Sequence, residues 1–295
     1  MKIPILINLY NRPHYTKKIF NLLKIIKPKK IYVSIDGPKN KKDQKKVKEV
    51  LSLANNINWK CKKIVKINKY NIGCKNSISQ ALDWFFSKEK YGIILEDDVL
   101  PSKYFFFFCE IFLPKYKNNK KISMITGFNS LNIDSNSQSI TFFLSRHFPI
   151  WGWATWARAW KGYKKDLSKK EISRYLKKNN FNSILEKLYF HQKFLSHFTY
   201  WKNTWDIQWL FHCLKKKTYC LTPSINLIEN IDDNYFFKKK NILKKLNKKK
   251  LKLLNNFKVL NKEYDDILLF KYGYPHLFKT ILRNYVFIFK EKFLP

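Results

Sequence analysis

The chain has 295 residues, with 59 Lys plus Arg against 21 Asp plus Glu, a formal net charge of +38. The length suits one large α/β domain or one domain with an extension, and 45% hydrophobic with 17% aromatic residues supplies a sizeable core and excludes intrinsic disorder. No run approaches the ~18–20 apolar residues of a spanning helix, and Ile3 to Leu9 is too short for a secretory signal, so the expected location is the cytoplasm.

The first third alternates strand and helix signals. Ile3 to Leu9 is an apolar run broken by Asn11-Arg12-Pro13. Tyr15, Ile19, Leu22, Leu23 and Ile26 then recur at helical spacing, and Pro28 ends that helix. Ile31 to Ile35 is a β-branched run closed by Asp36-Gly37-Pro38. A Lys-rich helix carries Val47, Val50 and Leu51, Ile64 to Ile67 is the next strand, and Asn76 to Ser87 the next helix. Tyr91 to Leu95 is a fourth strand, leading into Glu96-Asp97-Asp98. This order predicts a mostly parallel sheet with helices on both faces. Ligands bind beyond the carboxyl ends of such strands, where three polar clusters meet at one rim.

Further on, Ile122 to Ile125 and Thr141 to Leu144 read as strands. Trp151-Gly152-Trp153-Ala154-Thr155-Trp156 follows, with Trp160 nearby. Residues 182–200 are helical and aromatic in pattern, and Trp205-Asp206 opens a helix through Leu214. From Asn234 to Lys262 no acid occurs, and ten lysines lie between Lys238 and Lys258. Leu243, Leu246, Leu253 and Phe257 sit among them at near-helical spacing. These features set a boundary near 233: a domain over 1–233 and a basic, aromatic helical extension over 234–295.

Only five of the 59 basic residues are Arg. The excess of lysine, beside abundant Asn, Ile, Phe and Tyr, has two readings: a codon-driven composition, or a body drawn to phosphates, nucleic acids or anionic lipids. No nucleic-acid motif appears, so no specific nucleic acid is expected. The stretch 238–258 is either a solvated face or a dock for an anionic membrane surface. The five cysteines are single, with neither C-x-x-C nor zinc spacing, and read as reduced, mostly buried thiols. The six histidines show no ligand spacing and read as structural.

Three adjacent carboxylates repel one another, and a cation is what stabilises them. An all-oxygen cluster favours Mg²⁺ or Mn²⁺, which also bridges a diphosphate. The alternative is a solvated acidic turn. Asp36 either serves turn chemistry or accepts hydrogen bonds from a nucleoside. Arg12 is a surface charge or a planar partner for an anion. The tryptophans divide between core packing and a sugar platform, with Gly152 and Ala154 admitting close backbone approach. Asp206, near a helix start, is either a cap or a reactive carboxylate.

Together Asn11 to Pro13, Asp36 to Pro38, Asn71 to Cys74, Glu96 to Ser102, Trp151 to Trp156, Thr204 to Asp206 and Asn226 to Asn230 resemble, in chain order over residues 1–231, bacterial nucleotide-diphospho-sugar glycosyltransferases of the GT-A fold. The same order is similar, more distantly, to N-acetylglucosaminyltransferase I of animals. The resemblance implies a Rossmann-like α/β fold and a metal-dependent, inverting hexosyl- or N-acetylhexosaminyltransferase. Its donor would be a nucleotide sugar, most simply a UDP-sugar, and its acceptor a saccharide or lipid-linked saccharide in surface-polysaccharide synthesis, at the inner face of the cytoplasmic membrane. By position, Arg12 and Asp36 would touch the uridine, Asn71 and Gly73 the donor, and Glu96 and Asp97 its ribose and sugar. Asp98 would hold Mn²⁺ or Mg²⁺, Gly152 and Trp153 would shape the sugar site, and Asp206 would be the base. The chain departs from the family after Asn230, where Ile231-Asp232-Asp233-Asn234-Tyr235 replaces a Gly-rich segment with Thr and His. Two rival readings are weaker. A sugar nucleotidyltransferase needs a Gly-rich basic loop after the first strand, which Leu9-Tyr10-Asn11-Arg12-Pro13 is not. A basic membrane- or nucleic-acid-binding scaffold leaves the carboxylates and Asp206 without a role.

Overall fold

Apolar runs too short for helices, separated by amphipathic segments, have buried themselves as the central strands of one sheet. The computed structural model describes residues 1–131, 139–179, 181, 183–232, 252–258, 261–273, 275 and 277–293. The first half runs β1 (Ile5–Leu9), α1 (Pro13–Ile26), β2 (Lys30–Ile35), α2 (Lys41–Asn55), β3 (Lys62–Ile67), α3 (Cys74–Phe86), β4 (Tyr91–Glu96), β5 (Val99–Pro101) and α4 (Lys103–Lys115). Then come β6 (Ile122–Thr126), β7 (Ser139–Ser145), β8 (Trp153–Trp156), a single turn α5 (Ala157–Trp160), α6 (Lys169–Lys178), α7 (Ile184–Leu195) and α8 (Asp206–Lys215). The chain closes with β9 (Tyr219–Pro223), β10 (Ile228–Asn230), β11 (Lys252–Lys258), α9 (Lys262–Leu268), one π turn (Leu269–Gly273) and α10 (Leu277–Phe293).

Nine strands form one sheet in the order β11-β7-β9-β6-β8-β4-β1-β2-β3. Pairings β1–β2, β1–β4, β2–β3, β6–β9 and β7–β11 are parallel, while β4–β8, β6–β8 and β7–β9 are antiparallel. The sheet is thus mixed and mostly parallel, as the strand–helix alternation predicts. β1 and β4 are buried along nearly their whole length, as strands covered on both faces must be. Helix ends follow local chemistry. Pro13 opens α1, Asn40 caps α2 by accepting from the Asp43 amide at 3.0 Å, and Ser168 with Glu171 forms a capping box on α6.

The tryptophan motif is itself a strand. β8 wedges antiparallel between β4 and β6, and Trp153 and Trp156 are fully buried. Past residue 233 the helical expectation needs one correction, since 252–258 is a strand lying parallel to β7 at the sheet edge. Leu253 and Phe257 follow helical spacing, but pairing with an open edge overrides so short a pattern, and lysine is a common residue on edge strands. The remainder of the lysine-rich stretch, 238–251, lies outside the described residues, as does Asp233. The C-terminal helices are tied to the body by polar bonds. Asp265 of α9 accepts from Ser145 Oγ at 2.6 Å and from the Arg146 amide at 2.9 Å. Asn284 of α10 accepts from Thr199 Oγ1 at 2.7 Å and donates to Gln192 Oε1 at 2.8 Å.

Candidate active site

The carboxyl ends of β1, β2 and β4 converge with the start of α3. Asp36, at the end of β2, is buried, and five donors surround its carboxylate. Oδ1 accepts from the Gly37 amide (2.9 Å), Asn68 Nδ2 (3.1 Å) and the Ile72 amide (3.1 Å). Oδ2 accepts from Asn71 Nδ2 (2.9 Å) and the Gly73 amide (3.2 Å). Asn71 Nδ2 also reaches the Gly37 carbonyl at 3.1 Å. Gly37 has to be glycine, because a Cβ there would strike the Tyr70 carbonyl group. The Asp-Gly-Pro and Asn-x-Gly-Cys motifs are therefore two halves of one knot, which sets the loop leading into α3. Open space lies where a Cβ on Gly73 would stand.

Beside this knot is the acidic cluster. Arg12 Nη1 lies 3.1 Å from Asp98 Oδ2 and 3.4 Å from Asp97 Oδ1, and its Nη2 lies 3.4 Å from Asp232 Oδ2. Sequence reasoning missed Asp232. It falls in the segment that departs from the family pattern, and only the tertiary pairing brings it in. β10 runs antiparallel to β5, with Asn230 opposite Val99, and the Ile231 amide donates to the Asp98 carbonyl at 2.8 Å. Glu96 ends β4 in register with Asn8 of β1. Glu96 Oε1 and both amide atoms of Asn8 are buried without a hydrogen-bond partner among the described residues.

The electrostatics follow from this crowding. Burial, then Asp98, Asp97 and Asp206, raise the Glu96 pKa well above the carboxylate range, with Arg12 opposing. Asp97 is pushed up to about 7, mainly by burial, against the pull of Arg12. Asp98 is raised too, again by burial, with Arg12 opposing. Cys74, the first residue of α3, senses the same field. Desolvation and the carboxylates of Glu96, Asp206, Asp36 and Asp98 push its thiol up to about 12.

Asp206 approaches from the other side. It is the first residue of α8, where the helix dipole favours a negative charge, and the cap position belongs to Trp205. The Asp206 carboxylate makes no hydrogen bond to the described residues, so it does not cap the helix. Its place is set by packing. Trp205 stacks on Trp153 of β8, and the Trp205 carbonyl accepts from Tyr163 Oη at 3.1 Å. Asp206 also lines a cavity of ≈ 330 Å³ whose wall includes Phe128, Phe148, Trp151, Tyr189 and Tyr264. Trp151 and Phe128 meet edge to face at 4.5 Å. Of the tryptophan motif, then, Trp151 faces the cavity while Trp153 and Trp156 belong to the core. Gly152 has φ +56, and a Cβ there would collide with Ile228 of β10.

A divalent cation fits this cluster in a limited sense. Among the described residues no three Asp, Glu, His or Cys side chains form a metal cage. The protein can still offer one or two carboxylates, from a cluster whose raised pKa values and unpaired Glu96 oxygen call for positive charge. Mg²⁺ in particular takes most remaining ligands from water and substrate phosphates.

No family model matches the chain, and no curated protein matches it. Similar solved structures include HddC from Yersinia pseudotuberculosis complexed with GMP-PN, at 10% identity and a TM-score of 0.34 over 56% of this chain and 82% of that one. A UDP-glucose pyrophosphorylase complexed with UDP-glucose gives 7% identity and a TM-score of 0.40, covering 84% of this chain and 98% of that one. Mouse xyloside xylosyltransferase 1, in its apo form, gives 9% identity and a TM-score of 0.31, covering 55% and 69%.

Proposed function

We propose that the chain is a metal-dependent, inverting glycosyltransferase. It moves a hexosyl or N-acetylhexosaminyl unit from a nucleotide sugar, most simply a UDP-sugar, to a saccharide or lipid-linked saccharide in surface-polysaccharide synthesis. The observation that carries this reading is the opposition of two acidic features at one rim. A cation-demanding cluster ends β4, and an uncommitted carboxylate, Asp206, faces an aromatic cavity within electrostatic reach of Glu96.

In this reading Asp98 would hold Mn²⁺ or Mg²⁺, and the ion would supply positive charge against the leaving diphosphate. Glu96 and Asp97 receive hydroxyls of the donor ribose and sugar. Arg12 moves from its carboxylates to the uridine diphosphate. Asn71 and the open backbone at Gly73 contact the donor, while Asp36 acts through the loop it anchors. Gly152 and Trp153 shape the sugar site from behind, since Gly152 lets Ile228 close on it and Trp153 supports Trp205. The acceptor enters by the aromatic cavity, where ring faces stack on the apolar faces of sugars. Asp206 takes the acceptor hydroxyl proton as the new C1–O bond forms. The old C1–O bond breaks with its electron pair leaving on the diphosphate, so the anomeric centre inverts.

Calorimetric titration of UDP with Mn²⁺ and with chelator tests the donor half. Metal-dependent binding supports the reading, and no UDP binding in either condition refutes it. A sugar nucleotidyltransferase would instead make nucleotide sugar and pyrophosphate from a nucleoside triphosphate and a sugar phosphate.

A further inference from the structure

α10 presents one apolar stripe to solvent. Phe278, Leu282, Tyr285, Val286 and Phe289 are 77%, 56%, 66%, 45% and 58% exposed. They recur at i, i+4, i+7, i+8 and i+11, which places them on a single helix face. Exposure here is not a loose end fraying, because the opposite face is fixed: Asn284 is fully buried and held by Thr199 and Gln192. Phe270, in the turn before α10, adds another ring at 76% exposure.

Beside the stripe lies a cavity of ≈ 270 Å³ between α7 and α10, bordered by Lys193, Lys279 and Arg283 with Gln192, Ser196 and Tyr200. No carboxylate pairs with these three cations among the described residues. Arg283 is held over the Tyr200 ring at 4.3 Å. It is one of five Arg in a chain that otherwise uses Lys, and its planar fork suits a phosphate. From Leu269 to Phe293 the sequence carries five Lys or Arg and one acid.

We infer that α10 lies in the surface of an anionic lipid bilayer. Its aromatic and aliphatic stripe sits among the upper acyl chains, and Lys193, Lys279 and Arg283 meet the lipid phosphates. The helix has 17 residues, about 25 Å, and its basic flank and apolar face match a helix lying in the interface plane. No described helix is long and apolar enough to cross a membrane. A second copy of the chain is the poorer occupant, because bringing two bodies of +38 together opposes association. Lys193 also lines the aromatic cavity that Asp206 faces, so the two surfaces adjoin, but vesicle binding is read without any turnover.

Co-sedimentation with vesicles of phosphatidylcholine alone, and of phosphatidylcholine mixed with phosphatidylglycerol, tests it on the full chain. Two variants are compared: Phe278→Asp with Phe289→Asp, and Lys279→Gln with Arg283→Gln. The altered stripe side chains are exposed, and an unchanged circular dichroism spectrum confirms that each variant folds. The wild type is expected to bind the mixed vesicles and not the neutral ones, with each variant weakened about tenfold. If the wild type ignores anionic vesicles, or both variants bind like wild type, the inference is wrong. Sedimentation equilibrium showing a dimer that Phe278→Asp dissociates would assign the face to self-association and overturn it too.

Discussion

Trp153 and Trp205 stack with their ring centroids 5.4 Å apart and 24° between planes. One comes from the central strand β8 and the other immediately precedes Asp206. This stack joins two motifs that lie fifty residues apart in sequence, and it fixes where Asp206 stands relative to the end of β4. Truncation should therefore reach function through position. Trp205→Ala should cost about 3–5 kcal/mol in unfolding free energy, while Trp205→Phe costs much less. Turnover in Trp205→Phe should still fall by roughly tenfold, with donor affinity retained, because a displaced base loses its alignment. Denaturant melts beside kcat and KM for the two variants check this.

Asp98→Asn should remove most of the metal dependence of UDP binding and abolish turnover. Titration of UDP in Mn²⁺ and in chelator should give similar affinities for this variant, where wild type differs strongly. Full activity in Asp98→Asn would move the metal site elsewhere.

Asp36→Asn replaces an acceptor-only carboxylate with an amide, and one of its two terminal atoms now donates toward existing donors. Stability should fall by about 2–3 kcal/mol, the usual worth of hydrogen bonds to a buried charged group. KM for the donor should rise as the 68–73 loop loosens, with the pH dependence of kcat unchanged. Donor titration and thermal unfolding on the same variant separate these effects.

His212 gives the chain an acid sensitivity of its own. Its Nε2 lies 2.9 Å from the Ala159 carbonyl, the ring stacks on Trp209, and burial lowers its pKa to about 4. A histidine depressed in the folded state contributes stability that is complete above its unfolded value, about 6.5. That stability is lost as pH falls toward 4. About 3 kcal/mol at most should disappear over this window. His212→Gln should flatten that part of the profile, read as the difference between wild-type and variant unfolding free energies from pH 7 to 4.

Much of the first half was legible in the sequence because its strands are apolar runs with explicit breakers. β1 to β4 and the three helices between them fall where Pro13, Pro28, Asp36-Gly37-Pro38 and Glu96 punctuate them. What local pattern could not show was pairing. The tryptophan motif reads as part core and part platform, and pairing decides which ring is which: Trp153 and Trp156 are buried in the strand β8, while Trp151 lines the cavity. Asp232 joined Arg12 only through the β5–β10 ladder. The aromatic run Tyr104 to Phe108 is the helix α4, hidden because rings on every face leave no amphipathic period. Lys252 to Lys258 is the opposite case, a weak helical spacing overridden by an open sheet edge. Asp36 was visible as a turn acid, but not as the anchor of a loop over thirty residues away.

The central claim is that Asp206 takes the proton from the acceptor. Its carboxylate has no structural bond to lose, so Asp206→Asn isolates chemistry from folding. The decisive measurement is transfer rate beside Mn²⁺-dependent UDP affinity in this one variant. The account predicts transfer lower by about 10²–10⁴ with UDP affinity and unfolding temperature close to wild type. Transfer near the wild-type rate, or loss of UDP binding together with the fold, would contradict it.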